Sequence, residues 1–258
     1  MNNIIDAHIH LDLYKEKEIE HIMESLESAR CTDLVSVSFH LESCRKNLEL
    51  AKIYPQVKPA FGFHPEQELL TDHEAADLFQ WMEANLDKMV AVGEVGLPYY
   101  SRIESEGAFS LEGYTELLDA FLRFAKKWDK PVVLHAVYDD APIVCNLLEK
   151  HSIKNAHFHW FKGDNKTIER MIQNGYHISI TPDVMYEEEI QRLVARYPLQ
   201  QMMVETDGPW QFESEFAEKI TQPNMIHRSV GRIAEIKQLD VHKVYEILYR
   251  NTKGFYQL

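Results

Sequence analysis

The chain has 258 residues, 45% of them hydrophobic, which suffices for one large core, and a barrel of roughly 250 residues commonly forms a single domain. Forty-one acidic residues against 27 basic ones leave a formal charge of -14, which argues against any partner held mainly by diffuse attraction to phosphate. A nucleic-acid substrate would have to be held by local cations.

Cys31, Cys44 and Cys145 lie far apart with no C-x-x-C pair, so neither a disulfide framework nor a thiolate zinc site is expected. The start, MNNIIDAHIH, has no basic region followed by an apolar one. No later run approaches the roughly 18 apolar residues of a membrane span. These features predict a cytoplasmic protein with no membrane association, and a monomer.

In chain order, short β-branched or apolar runs predict eight strands, at 4–10, 34–39, 57–61, 89–94, 132–135, 156–159, 176–180 and 202–205. Helical periodicity fills the intervals. It is clearest where Tyr114, Leu117, Leu118, Phe121, Leu122, Ala125 and Trp128 mark one apolar face between Ser110 as N-cap and Pro131 as terminator. Alternating strands and helices predict a parallel sheet, in the α/β class. A doubly wound open sheet would call for a glycine-rich phosphate turn after an early strand, and the chain has no G-x-G-x-x-G. A single (β/α)₈ TIM-type barrel spanning 1–258 is therefore expected. The longest irregular stretches, 96–109 and 208–223, would leave the C-terminal ends of strands, where barrel enzymes place their chemistry. Trp210, Phe212 and Phe216 either roof that site or cap the barrel rim.

Asp6, His8 and His10 are spaced two apart on the first predicted strand, so they share a face, and two imidazoles on one face can chelate a metal. Glu94, His135, His159 and Asp207 each stand where an apolar run gives out. An unpaired buried charge costs several kcal/mol, so such placements call for a reason. Divalent cations supply one, because carboxylates and neutral imidazoles are ligands that Zn²⁺, Mn²⁺ and similar ions accept.

Six motifs then share one order and spacing: DAHIHLD at 6–12, GFHP at 62–65, GEVGLPY at 93–99, VVLHA at 132–136, HWFKG at 159–163 and ETDGPW at 205–210. Together they resemble the TatD family of metal-dependent deoxyribonucleases, within the amidohydrolase superfamily, from about residue 4 to the NTKGF at 251–255. The resemblance implies two divalent metal ions. One is held by His8, His10 and Asp207, a second by His135 and His159, and Glu94 bridges both; Zn, Mn and Mg all remain open. His157 shares a strand face with His159 and is a rival for its role, but His159 occupies the histidine of the family motif. His64 would face the substrate or serve as a turn residue, Glu205 would orient ligands or substrate, and Trp210 would touch the substrate. The other histidines, among them His21, His40, His73, His151, His177, His227 and His242, read as surface or packing residues.

Three positions depart from the family pattern: Pro98 where Asp is common, Val137 where Arg is common, and Glu66 where a second histidine is usual. Loss of a guanidinium weakens bidentate recognition of phosphate, and Glu66 adds negative charge at the rim. The expected activity is hydrolysis by a metal-activated water, with Glu94 and Asp207 as catalytic residues and Asp207 taking or relaying the proton. The expected substrate is a phosphodiester at a DNA end. The alternative is a small ester, lactone, amide or phosphate ester.

Overall fold

Every stretch of the chain that returns to the sheet does so as a parallel strand, because each strand is followed by a segment that packs helically outside it. In the computed structural model, which describes residues 2–105 and 110–258, β1 (Ile4–Ile9) leads to α1 (Glu16–Ser25), β2 (Cys31–Ser36), α2 (Leu41–Ile53), β3 (Val57–Phe61), α3 (Asp72–Ala84) and β4 (Ala91–Gly96). The second half continues with α4 (Tyr99–Glu104), α5 (Leu111–Lys127), β5 (Val132–His135), α6 (Asp140–Lys150), β6 (Ala156–Phe158), α7 (Asn165–Asn174) and β7 (His177–Ile180). It ends with α8 (Glu188–Arg196), β8 (Met202–Val204), α9 (Ile226–Lys237) and α10 (Val241–Tyr256).

The eight strands form one sheet in sequence order, each paired in parallel with the next. The barrel is nearly closed, as expected. Its seam is made by main-chain bonds from Asp207 N to His8 O (2.9 Å) and from His10 N to Gly208 O (2.8 Å). Asp6 reinforces the seam: its carboxylate accepts the Thr206 amide at 3.0 Å and the Thr206 hydroxyl at 2.5 Å. It therefore stitches β1 to the segment after β8 and leaves the histidines of its own strand face to other work.

Two layers of core follow from strand alternation. Outward residues such as Ile4, Leu34, Val92 and Leu134 pack under the helices. Inward residues Ala7, Val35, Ala60, Ala91, Val133 and Met203 fill the barrel with Phe255 and Tyr256 of α10. Small residues predominate inside, where there is little room. Four of them, Ala7, Ala91, Val133 and Met203, come shortly before His8, Glu94, His135 and Glu205 along their strands, so the apolar filling ends where the polar mouth begins.

α5 begins after Ser110, as its apolar face predicts, but it ends at Lys127, short of Pro131. The region 96–109 differs from its expectation as a loop, because 99–104 folds as α4; its last four residues lie outside the described ones. The segment after Asp207 is irregular as expected. Phe212 and Phe216, however, do not roof the mouth. They are buried beside Met225 and pack against Trp160, Met185 and Tyr186, holding the loop down, and only Trp210 faces the cavity.

Candidate metal centre

Strand geometry delivers the ionisable residues to one place. His8 lies near the end of β1 and His10 just after it, and a register shift against β2 between Asp6 and Ile9 lets both rings reach the mouth although Ala7 already faces inward. Glu94 comes from β4, His135 ends β5, His159 follows β6, and Asp207 follows β8. Two glycines allow the approach. A Cβ on Gly96 would collide with the His135 carbonyl, and one on Gly62 would lie 2.7 Å from the Glu94 carbonyl oxygen. Only glycine lets β3, β4 and β5 draw together there. Asp207 takes a left-handed backbone (φ 51), which Asp tolerates better than most residues, and this turn brings its carboxylate back over β1.

Glu94 is fully buried, and its two oxygens face different partners. Oε2 lies 3.2 Å from both His8 Nε2 and His10 Nε2; Asp207 Oδ1 stands 3.2 Å from the first of these nitrogens and 3.6 Å from the second. Oε1 lies 2.6 Å from His159 Nε2, 2.9 Å from His135 Nδ1 and 3.5 Å from His64 Nε2. Despite these short approaches, neither Glu94 Oε2 nor Asp207 Oδ1 has a hydrogen-bond partner among the described residues, nor do the Nδ1 atoms of His8, His10 and His159. Buried polar atoms rarely go without partners. Here nitrogen and oxygen donors converge without pairing, and hard carboxylates mixed with borderline imidazoles are the ligand set of a divalent cation. Two buried groups bring ligand atoms within 4.8 Å of one another on either side of Glu94: His8, His10 and Asp207 on one side, and Glu94 itself with His64 and His135 on the other. A third such group joins His8, His159 and Glu205.

Burial opposes charge throughout this cluster, and the neighbours decide the outcome. Despite burial, His159, His64 and His8 hold Glu94 well below the usual carboxylate range. Glu94 and Asp207 likewise overcome burial at His8 and keep its imidazolium well above its ordinary value. His135 is raised to about 9 against burial by Glu66 and Glu94. Burial prevails at His64, which falls well below its usual range, and at His159, which falls to about 4.

The remaining candidates fall into place around this centre. His157 is set apart from the Glu94 oxygens, with Nδ1 2.7 Å from the Tyr256 hydroxyl and Nε2 2.5 Å from Ser179 Oγ. Ser179 in turn donates to Glu205 at 2.5 Å, and Glu205 also accepts the Trp160 amide at 2.8 Å. Glu205 is thus buried behind His159, 3.8 Å from its Nδ1, and burial pushes its carboxyl well up. His64 stacks on Phe39 with ring centroids 4.1 Å apart and lines the cavity. Among the histidines without motif context, His40 caps α2, His151 binds Asp119, and His227 joins Tyr245 to the Ala29 carbonyl.

Above the centre opens a cavity of about 470 Å³, walled by His10, His64, His135, His159 and Asp207 below and by Phe39, Tyr100, Trp160 and Trp210 around. Val137 and Glu66 also line it. None of the described residues lining it is Lys or Arg. Tyr100 belongs to α4, which buries no residue and so leaves no apolar stripe in the sequence, whereas Trp160 lies inside the HWFKG motif, which is the signal for it.

The description TatD related DNase belongs to a family model that matches residues 5–257. A protein of Haemophilus influenzae named as an uncharacterized metal-dependent hydrolase is 38% identical over 99% of this chain and 100% of its own length. Human deoxyribonuclease TATDN3 is 26% identical over 96% of this chain and 92% of its own. Among solved structures, the Escherichia coli TatD homologue YjjV superposes with a TM-score of 0.89 at 25% identity, each chain covered in full.

Proposed function

Because the chain belongs to the TatD-related DNase family, whose members include metal-dependent hydrolases, we propose that it hydrolyses phosphodiesters at DNA ends with two divalent cations that Glu94 would help to hold. The observation that carries this reading is the division of the Glu94 carboxylate, one oxygen toward His8 and His10, the other toward His135 and His159. His8, His10 and Asp207 would hold one ion, and His135 and His159 the other. Bound there, the ions would supply an acidified water and polarise a phosphoryl oxygen, and Zn²⁺, Mn²⁺ and Mg²⁺ are the candidates. Imidazoles ligate only when neutral, so His8 and His135 would give up protons as the ions enter.

The chain's own groups would do the rest. Asp207 stands at the edge of the cavity, so its carboxylate accepts the proton of the attacking water and passes it to solvent. His64, 6% exposed in the cavity wall, donates to a phosphate oxygen when protonated or through its Nε2–H tautomer. Its other nitrogen, Nδ1, accepts the Glu66 amide at 3.2 Å, which favours that tautomer. Trp210 and Tyr100 offer faces on which a terminal base stacks. Glu205, buried out of the cavity, would act on the position of His159 rather than on substrate. The chain would work as one catalytic domain over 1–258. No helix among the described residues is long and apolar enough to cross a membrane, and the three buried, unpaired cysteines suit a reducing cytoplasm.

One observation favours a second reading. A cavity with no Lys or Arg among the described residues that line it, where Val137 stands in place of the family's common Arg, suits a small ester or phosphate ester as well as a strand of DNA. End-labelled single-stranded DNA, incubated with the metal-restored protein, separates the two. Stepwise shortening by the wild type and none by Asp207→Asn supports the nuclease; intact DNA beside turnover of small esters supports the alternative.

A further inference from the structure

Glu66 was expected to burden the rim with negative charge, yet its carboxylate is spent on three specific partners. Oε1 accepts the Tyr100 amide at 2.9 Å and lies 3.1 Å from His135 Nε2, while Oε2 accepts the Ser101 amide at 2.7 Å. The opposite nitrogen of the same ring, His135 Nδ1, lies 2.9 Å from Glu94 Oε1. The imidazole is therefore held end to end between two carboxylates. The side chains of His135 and Glu66 are only 10% and 13% exposed, so solvent does little to loosen the contact.

A cap for α4 would need only the two amides. The bond to His135 is additional, and it joins the metal centre to a helix whose Tyr100 and Ser101 line the cavity. That helix is pinned again by Arg102, 2.5 Å from the buried Asp140 carboxylate, and by Tyr99 against Tyr138 with ring centroids 5.0 Å apart. A shift of α4 would therefore pull on Glu66, and through it on His135.

We infer that Glu66 is a positioning residue: it fixes the His135 ring with Nδ1 toward Glu94 and couples cation binding at His135 and His159 to the seating of α4 over the cavity. The inference rests on the reading above in one respect, that His135 is a ligand. An outer carboxylate on a ligating histidine sets ring orientation and basicity, and a coupling between two sites acts equally in both directions.

Two measurements on the full chain test it. After stripping, Zn²⁺ titrated by calorimetry should bind Glu66→Gln with one step weakened about 10- to 100-fold and the other unchanged within about threefold. In the wild type, Zn²⁺ should slow hydrogen exchange at the Tyr100 and Ser101 amides; in the variant, that slowing should disappear. A folded Glu66→Gln that keeps both steps at wild-type affinity overturns the inference and leaves the metal centre standing. Unchanged exchange in the zinc-loaded wild type overturns it as well, whether or not the variant folds. A wild type that binds no Zn²⁺ overturns the metal-centre reading and this inference with it.

Discussion

On the helical shell, Asp119 of α5 receives Lys150 Nζ at 2.8 Å, His151 Nε2 at 2.7 Å and the Arg123 guanidinium, each donor aimed at a carboxylate oxygen. At the barrel mouth, Glu94 and Asp207 stand among five imidazoles, 2.6 to 3.6 Å away, yet one oxygen of each has no hydrogen-bond partner among the described residues. Asp119 has its charge satisfied within the chain; the mouth has collected donors that satisfy one another poorly. Charges paired at a surface contribute a little stability and no chemistry. Donors gathered in a buried mouth cost stability and gain a function when a cation joins them. The contrast teaches where to look for activity: at buried polar atoms whose distances are short and whose bonds are missing.

That contrast can be broken in three ways. The largest effect is expected from Asp207→Asn, which should lower turnover by about 10²- to 10⁴-fold, the usual contribution of a positioned acid or base. Thermal unfolding of the metal-free variant should stay close to that of the wild type. A large loss of stability with turnover retained would make Asp207 a structural residue of the shell kind.

Metal removal comes next. An ion present at 100 times its Kd adds about 2.7 kcal/mol, so chelation should lower Tm by roughly 5–10 °C in a chain of this size. Circular dichroism should keep its helical and strand signature, since the two core layers are apolar and independent of the mouth. No change in Tm on chelation would mean that the mouth's donors need no cation.

The smallest effect belongs to Asp119→Ala, which should leave turnover within experimental error. Lys150 and then His151 hold the Asp119 carboxyl down to about 2, below its ordinary 3.8. A depressed acid contributes stability that is present above the unfolded value and is lost as pH falls through the folded one. The wild type should therefore lose this increment between about pH 4 and pH 2. Arg123 and Lys150 are more than half exposed, so screening reduces the increment to about 1 kcal/mol or less. Denaturant melts of wild type and variant should converge near pH 2. A gap that persists at that pH would assign the loss to packing.

How far the sequence foretold this depended on how each element is stabilised. All eight strands were legible because apolar runs between helical segments have few other uses, although β2 begins at Cys31, three residues early, where half-buried Thr32 and Asp33 interrupt its pattern. α4 was illegible: it has six residues and buries none of them, so no apolar stripe announces it. Asp6 looked like a third member of the His8 and His10 series, since spacing gives the face of a strand and not the partner beyond it; Thr206, distant in sequence, claims its carboxylate. Glu66 was read as a rim charge for the same reason, because its partners on α4 and β5 are adjacent only in the fold. By contrast, His8, His10, Glu94, His135, His159 and Asp207 all converge at the mouth, within the last residues of their strands or just beyond them.

The central claim is that one carboxylate, Glu94, joins two cation sites, and anomalous scattering from crystals of zinc-loaded protein tests it most directly. Two peaks are expected, one beside each Glu94 oxygen, with His8, His10 and Asp207 around the first and His135 and His159 around the second. A single peak, or zinc bound away from Glu94, would contradict it.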